Sequence, residues 1–143
     1  MTFSTLEIAT GAQRELRDIT EKVAQIIGNS KIKEGIALIF AKHTTCAIII
    51  SEIEDDLEED LLQFLEKEGP KGPFLHSHGD LLAHDSKHAG KSHTPAHILS
   101  SIIGAYVQVP IEGGRLDLGT WQRICLLELD GPRNRRVVIQ ILP

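Results

Sequence analysis

An α+β fold, one compact domain of largely antiparallel β-sheet with two to three helices, is what this sequence predicts. Three observations carry that prediction. Apolar residues follow helical spacing only in short segments, Val23-Ile26-Ile27 and Leu57-Leu61-Phe64-Leu65. Between them lie β-rich apolar runs, "GIALIFAKH" and "TCAIIIS". The C-terminal half is a series of such runs joined by short turns at Glu112-Gly113-Gly114 and Asp130-Gly131-Pro132, and short turns suit antiparallel neighbours.

Each element follows in order. "TFSTLEIAT" alternates as a first strand, with "ELRDIT" as its expected partner. "TEKVAQIIGN" reads as a helix stopped by Gly28-Asn29. Two strands follow, and His43-Thr44-Thr45 falls where the first ends and the second begins. Ser51 to Glu54 has the form of a capping box for a helix that runs to Gly69-Pro70. From Lys71 to Ser92 no periodicity is visible, and a loop of that length is usually functional or disordered. Thr94-Pro95 reads as N-cap and first helical residue of a short helix, "AHILSSII", closed by Gly104. "AYVQVPI", "RLDL", "WQRICLLEL" and "RRVVIQIL" complete the strands.

Composition narrows the function. The chain has 143 residues, no internal repeat and no long linker, so residues 1–143 form one domain. Its formal net charge of -5 disfavours nucleic acid, whose binders show a basic surplus. No apolar run reaches the roughly 18 residues that span a bilayer, so no membrane role is expected. The N-terminus lacks the charged start and apolar stretch of a secretion signal, and a cytoplasmic protein is expected. Cys46 and Cys125 lie in apolar runs and read as buried free thiols.

Six of the seven histidines lie between His76 and His97. Histidine titrates near neutral pH and is the commonest metal ligand. Such a cluster is a metal site, an acid/base site or a polar loop. The spacing is not that of a zinc finger, because no cysteine pairs accompany it. "HSHGD" begins the H-x-H-x-D-H signature of the metallo-β-lactamase fold, but Leu81 stands where that signature needs its next histidine. His97 falls in the first turn of a helix, where free N–H groups can hold an anion and keep an imidazole neutral. Packing against Ser101 is the plainer alternative.

Outside the cluster, "SEIEDDLEED" is chiefly an acidic helix start and solvated face. Glu52 follows an apolar strand and could project beside His43 at the same sheet edge, with Asp55 sharing its direction. In "GGRLDLGTWQ", Thr120, Trp121 and Gln122 either bind substrate or, for Trp121, anchor a core or interface.

"HTTCAIIISEIEDD", "TPAHILSSIIG" and "VPIEGGRLDLGTWQRICLLELDGPRNRRVVIQIL" together resemble the YjbQ-type proteins, the secondary thiamine-phosphate synthase family, over nearly the whole chain. The phrase from Gly114 to Ile124 is the most specific part. The resemblance implies a compact α+β homotrimer with a histidine and acid cluster able to hold a metal or anion. It also implies a candidate activity, joining a thiazole phosphate to a pyrimidine methyl pyrophosphate with loss of pyrophosphate. By position, His43, Glu52, Asp55 and His97 match family site residues, and His76 or His78 matches an upstream histidine. Ser51 and Ile53 replace the family's flanking asparagines, Asp56 its proline, and Cys46 its usual alanine.

The expectation is an enzyme acting on a phosphorylated small molecule. A divalent metal, zinc by preference for imidazole, is held by His43, His97 and one or more of His76, His78, His88 and His93. Glu52 or Asp55 orients a histidine or acts as general base. The alternatives are a metal-dependent phosphate-ester hydrolase and a non-enzymatic trimer with structural metal.

Overall fold

The computed structural model describes residues 2–76 and 93–143. All strand pairings are antiparallel, and two sheets form. The larger has the order β1-β8-β3-β5-β6, built from β1 (Thr2–Ala9), β8 (Asn134–Leu142), β3 (Gly35–Ala41), β5 (Tyr106–Glu112) and β6 (Arg115–Leu116). The smaller is β2 (Glu15–Asp18), β7 (Arg123–Glu128) and β4 (Cys46–Ser51), in that order. "ELRDIT" therefore does not pair with the first strand. β2 sits on β7 while β1 runs along β8, so consecutive strands enter different sheets.

The two sheets face each other across one core. Ile39, Val109, Ile139 and Ile141 of the large sheet meet Ile48, Ile124 and Leu126 of the small one. Val23 and Ile27 of α1 (Thr20–Ser30) join this core. The other face of the small sheet carries Ala47, Cys125, Leu127 and Leu129. Leu65 of α2 (Asp55–Glu68) and Ala96 and Leu99 of α3 (Thr94–Ile103) cover it. The small sheet is thus sandwiched, which explains why "ICLLEL" is apolar on both faces instead of alternating. Both thiols are free and buried in it, and burial pushes Cys46 up to about 11 and Cys125 up to about 12. They are inert at neutral pH.

The outer face of the large sheet has no helix on it among the described residues. Phe3, Ile36, Phe40 and Tyr106 point outward there, with Phe3 64% and Tyr106 55% exposed.

Five boundary signals read differently in the structure. α1 continues past Gly28-Asn29 to Ser30 and ends on Lys31, whose φ of 61° is left-handed. Ser51 is the last residue of β4, its hydroxyl bonds the Glu52 carbonyl, and Glu54 occupies the N-cap position of α2, so no capping box forms. His93, not Thr94, is the N-cap residue of α3; Thr94 is already helical and its hydroxyl donates to the His76 carbonyl (3.1 Å). "RLDL" is a strand only at Arg115–Leu116, and Trp121 and Gln122 precede β7 instead of opening it. The hairpin at Gly113-Gly114 stands: both have positive φ, 58° and 80°, as a tight two-residue turn requires.

Candidate functional site

β4 and β7 run antiparallel, and their two ends gather different chemistry. At one end Cys46 pairs with Glu128, next to His43–Thr45 and Asp130. At the other, Ser51 pairs with Arg123, next to Glu52 and Thr120–Gln122. A six-residue strand spans about 20 Å. Glu52 and Asp55 therefore leave the sheet at the end opposite His43 and do not share its edge within one chain. The register of β4 causes this, since the strand separates the two phrases by its full length. Trp121 is 70% exposed beside that far end, so it is not a core anchor within the chain. Gln122 folds back on its own loop, its Oε1 accepting the Gly119 N–H (2.8 Å).

The near end contains a buried charge network. Glu128 is fully buried and Arg135 is 2% exposed. Glu128 accepts from Arg135 Nε (2.8 Å), Arg135 Nη2, the Thr10 hydroxyl and the Leu129 and Asp130 backbone N–H groups (each 2.9 Å). Arg135 Nη2 also donates to the Thr45 hydroxyl (2.9 Å) and carbonyl (3.1 Å). Burial opposes the Arg135 charge, but the bonds and charge of Glu128 outweigh it and raise its pKa.

These residues escaped the sequence reading, though a signal existed. Val137, Ile139 and Ile141 mark the inward face of β8, and the same two-residue period puts Arg135 inward. Ile124 and Leu126 do the same for Glu128 on β7. Two opposite charges extrapolated to facing inner surfaces predict a buried pair.

A cleft of about 730 Å³ opens over this network, lined by Lys42, His43, Thr44, Thr45, Arg133 and Arg135 among others. His43 Nε2 accepts the backbone N–H of Arg136 (2.8 Å). A backbone N–H can only donate, so the proton of the neutral ring is on Nδ1. Burial, then the charge of Arg135, lowers the His43 pKa and keeps the ring neutral. In this arrangement the basic nitrogen is occupied, and a metal could reach it only by displacing the Arg136 bond.

The remaining described histidines gather at the head of α3. The His76 and His97 rings meet edge to face, 5.1 Å between centroids, and His93 is the N-cap residue. His97 is half-buried, and its carbonyl, not its ring, accepts the Ser101 hydroxyl (2.8 Å). His93 Nδ1 lies 2.8 Å from Asp130 Oδ2, which also takes Arg133 Nη2 (2.7 Å). Burial would raise the Asp130 carboxyl, but its bonds from Arg133 and His93 prevail and lower it. Asp130 thus links the histidine group to the cleft through Arg133. A carboxylate on Nδ1 fixes the orientation of the His93 ring. His78, His84 and His88 lie outside the described residues. Among the described residues no group of three or more His, Cys, Asp or Glu converges as a metal site would require.

Comparison with known proteins agrees with this architecture. The family profile described as UPF0047 protein YjbQ-like matches residues 4–143. A UPF0047 protein of Archaeoglobus fulgidus is 39% identical over 138 residues, 96% of this chain and 98% of that protein. The UPF0047 protein YugU of Bacillus subtilis is 37% identical over 141 residues, 98% of each. Among solved structures, a YbjQ-like protein of unknown function from Sulfolobus solfataricus superposes with a TM-score of 0.81 at 37% identity, covering 98% of this chain and 95% of that one. An uncharacterized conserved protein of the YjbQ/UPF0047 family from Clostridium acetobutylicum gives 0.84 at 33% identity, with 97% and 99% covered. With a family match that spans nearly every residue and a fold that superposes over its whole length, the chain belongs to the YjbQ/UPF0047 family.

Proposed function

We propose that this protein is a homotrimeric enzyme acting on a phosphorylated small molecule, with the histidine group at the head of α3 as its divalent-metal site and thiamine-phosphate formation as the candidate reaction. The observation that carries this reading is the Asp130–His93 couple (2.8 Å) beside His76 and His97. It is how proteins orient a metal-bound or proton-accepting imidazole. Zinc is the preferred ion for imidazole donors, and it supplies a Lewis acid for a phosphate oxygen or an activated water. The donor types fit zinc, but a four-ligand site needs more than the described histidines bring together. His43 serves the neighbouring cleft instead of the metal.

The outward face of the large sheet supports assembly. Phe3, Ile36, Phe40 and Tyr106 form an apolar surface of the kind that marks an interface. Free buried thiols suit a cytoplasmic setting. Among the described residues no helix is long and apolar enough to cross a membrane.

A second reading, hydrolysis of a phosphate ester by metal-activated water, rests on the same couple, with His93 as the base. Protein purified without a histidine tag tests both. Metal content by elemental analysis should fall in His97→Ala, and turnover of a phosphometabolite panel should vanish on chelation while the trimer persists. Dissociation on chelation would make the metal structural. Full turnover without metal would refute both enzymatic readings.

A further inference from the structure

The cleft beside His43 contains three hydrogen-bond donors that find no acceptor among the described residues. The first is Nη1 of Arg135. Nε and Nη2 are committed to Glu128 and Thr45, and Nη1 makes no such bond, although the side chain is 2% exposed. The second is the Thr45 hydroxyl proton. Its oxygen accepts from Arg135 Nη2, so the proton remains to donate, and Thr45 is 8% exposed. The third is Nδ1–H of His43, because Nε2 accepts from Arg136. All three residues line the same cleft.

Arg135 and Thr45 are buried, and buried donors without acceptors are costly, so a ligand that supplies acceptors is favoured there, with the half-buried His43 ring beside it. The nearby acids cannot fill that role. Glu128 already takes five donors, and Asp130 is held by His93 and Arg133. Lys42 and Arg133 add positive charge to the lining. The lining carries Lys42, Arg133 and Arg135, which disfavour a cation, whereas an oxyanion meets the N–H and O–H donors of Arg135, Thr45 and His43 in a favourable field.

We propose that this cleft is an oxyanion subsite, in which Arg135 Nη1, the Thr45 hydroxyl and His43 Nδ1 donate to the oxygens of a phosphate or carboxylate group. Glu128 acts behind it as a positioning residue. It fixes two sides of the guanidinium and leaves the third for the ligand. The subsite is separate from the metal site proposed above and works without a metal, so the two ideas fail independently.

The test uses full-length, tag-free protein in the presence of a chelator. Inorganic phosphate and acetate are titrated separately, read by calorimetry and by the NMR signals of Thr44, Thr45 and Arg135 Nε–H. Saturable binding is expected, with those signals moving. Preference for phosphate assigns the subsite to phosphate groups, and equal response to acetate assigns it to carboxylates. Thr45→Val and His43→Phe should each weaken binding about tenfold, the loss of one charge-assisted bond. Arg135 is left unsubstituted because it holds the fold, and its own signal reports on it. The proposal is overturned if neither anion binds, if the moving signals lie elsewhere, or if both variants bind as wild type does.

Discussion

Removing Glu128 should be the most damaging single change near the cleft. Glu128→Ala strands the Arg135 guanidinium, 2% exposed, without its counter-charge. It also removes the acceptor of the Asp130 N–H, while the Thr10 hydroxyl keeps the Arg133 carbonyl (3.1 Å) and the Leu129 N–H keeps the Thr45 carbonyl (3.3 Å). Breaking a buried ion pair on one side costs about 3–5 kcal/mol. The stranded Asp130 N–H adds about 1 kcal/mol, so about 4–6 kcal/mol is expected. At a few degrees per kcal/mol for a domain of this size, Tm falls by roughly 10–20 °C. Urea unfolding of wild type, Glu128→Ala and the double variant Glu128→Leu/Arg135→Met measures it. The double variant exchanges the pair for apolar bulk and should recover most of the loss, since buried pairs are often no better than a hydrophobic replacement. It should nevertheless lose oxyanion binding, which separates the fold from the subsite. A cost below about 1 kcal/mol for Glu128→Ala would mean that water reaches the pair and that Arg135 is not held rigid.

Other outcomes follow from the same geometry. His43 is neutral in the fold with its pKa lowered, so the unfolded chain binds the extra proton first. Its contribution to stability is therefore present above the usual imidazole range and is lost as pH falls from about 6.5 toward the folded value, which a ring NMR titration should place below that of a free imidazole. Asp130 has a lowered pKa, so its stabilisation holds above the usual carboxyl range and is lost as pH falls through its folded value; melting curves below about pH 4 should show this, less steeply in Asp130→Asn. The proposed assembly through the outer sheet face predicts a trimer mass by light scattering for wild type and a monomer mass for Phe40→Glu, with circular dichroism unchanged.

Much of the fold was legible because its causes are local. The periodicity of Val23-Ile26-Ile27 and of Leu57-Leu61-Phe64-Leu65 reports α1 and α2, and the glycine pair at Gly113-Gly114 reports its hairpin. Pairing was less legible. Nothing within "ELRDIT" says that it leaves the first strand for β7, because that choice is made by residues more than a hundred positions away. The site divides along the same line. His97 at the head of a helix and His43 at a strand end could be read from the chain, and so could the enrichment of histidine between them. That Glu52 and Asp55 lie a strand's length from His43 could not, since it depends on the direction of β4 in the sheet. The Glu128–Arg135 pair was readable in principle from strand register alone. It was hidden because charged residues at strand ends ordinarily face water.

The proposed metal site is tested most directly by titrating zinc into chelator-treated, tag-free protein while following every histidine ring by NMR. The His76, His93 and His97 signals should shift together and saturate at one zinc per chain, with His43 retaining its Nδ1-protonated pattern. Saturable shifts that include His43 and omit His93, or no saturable shift at all, would contradict the assignment of the metal to the head of α3.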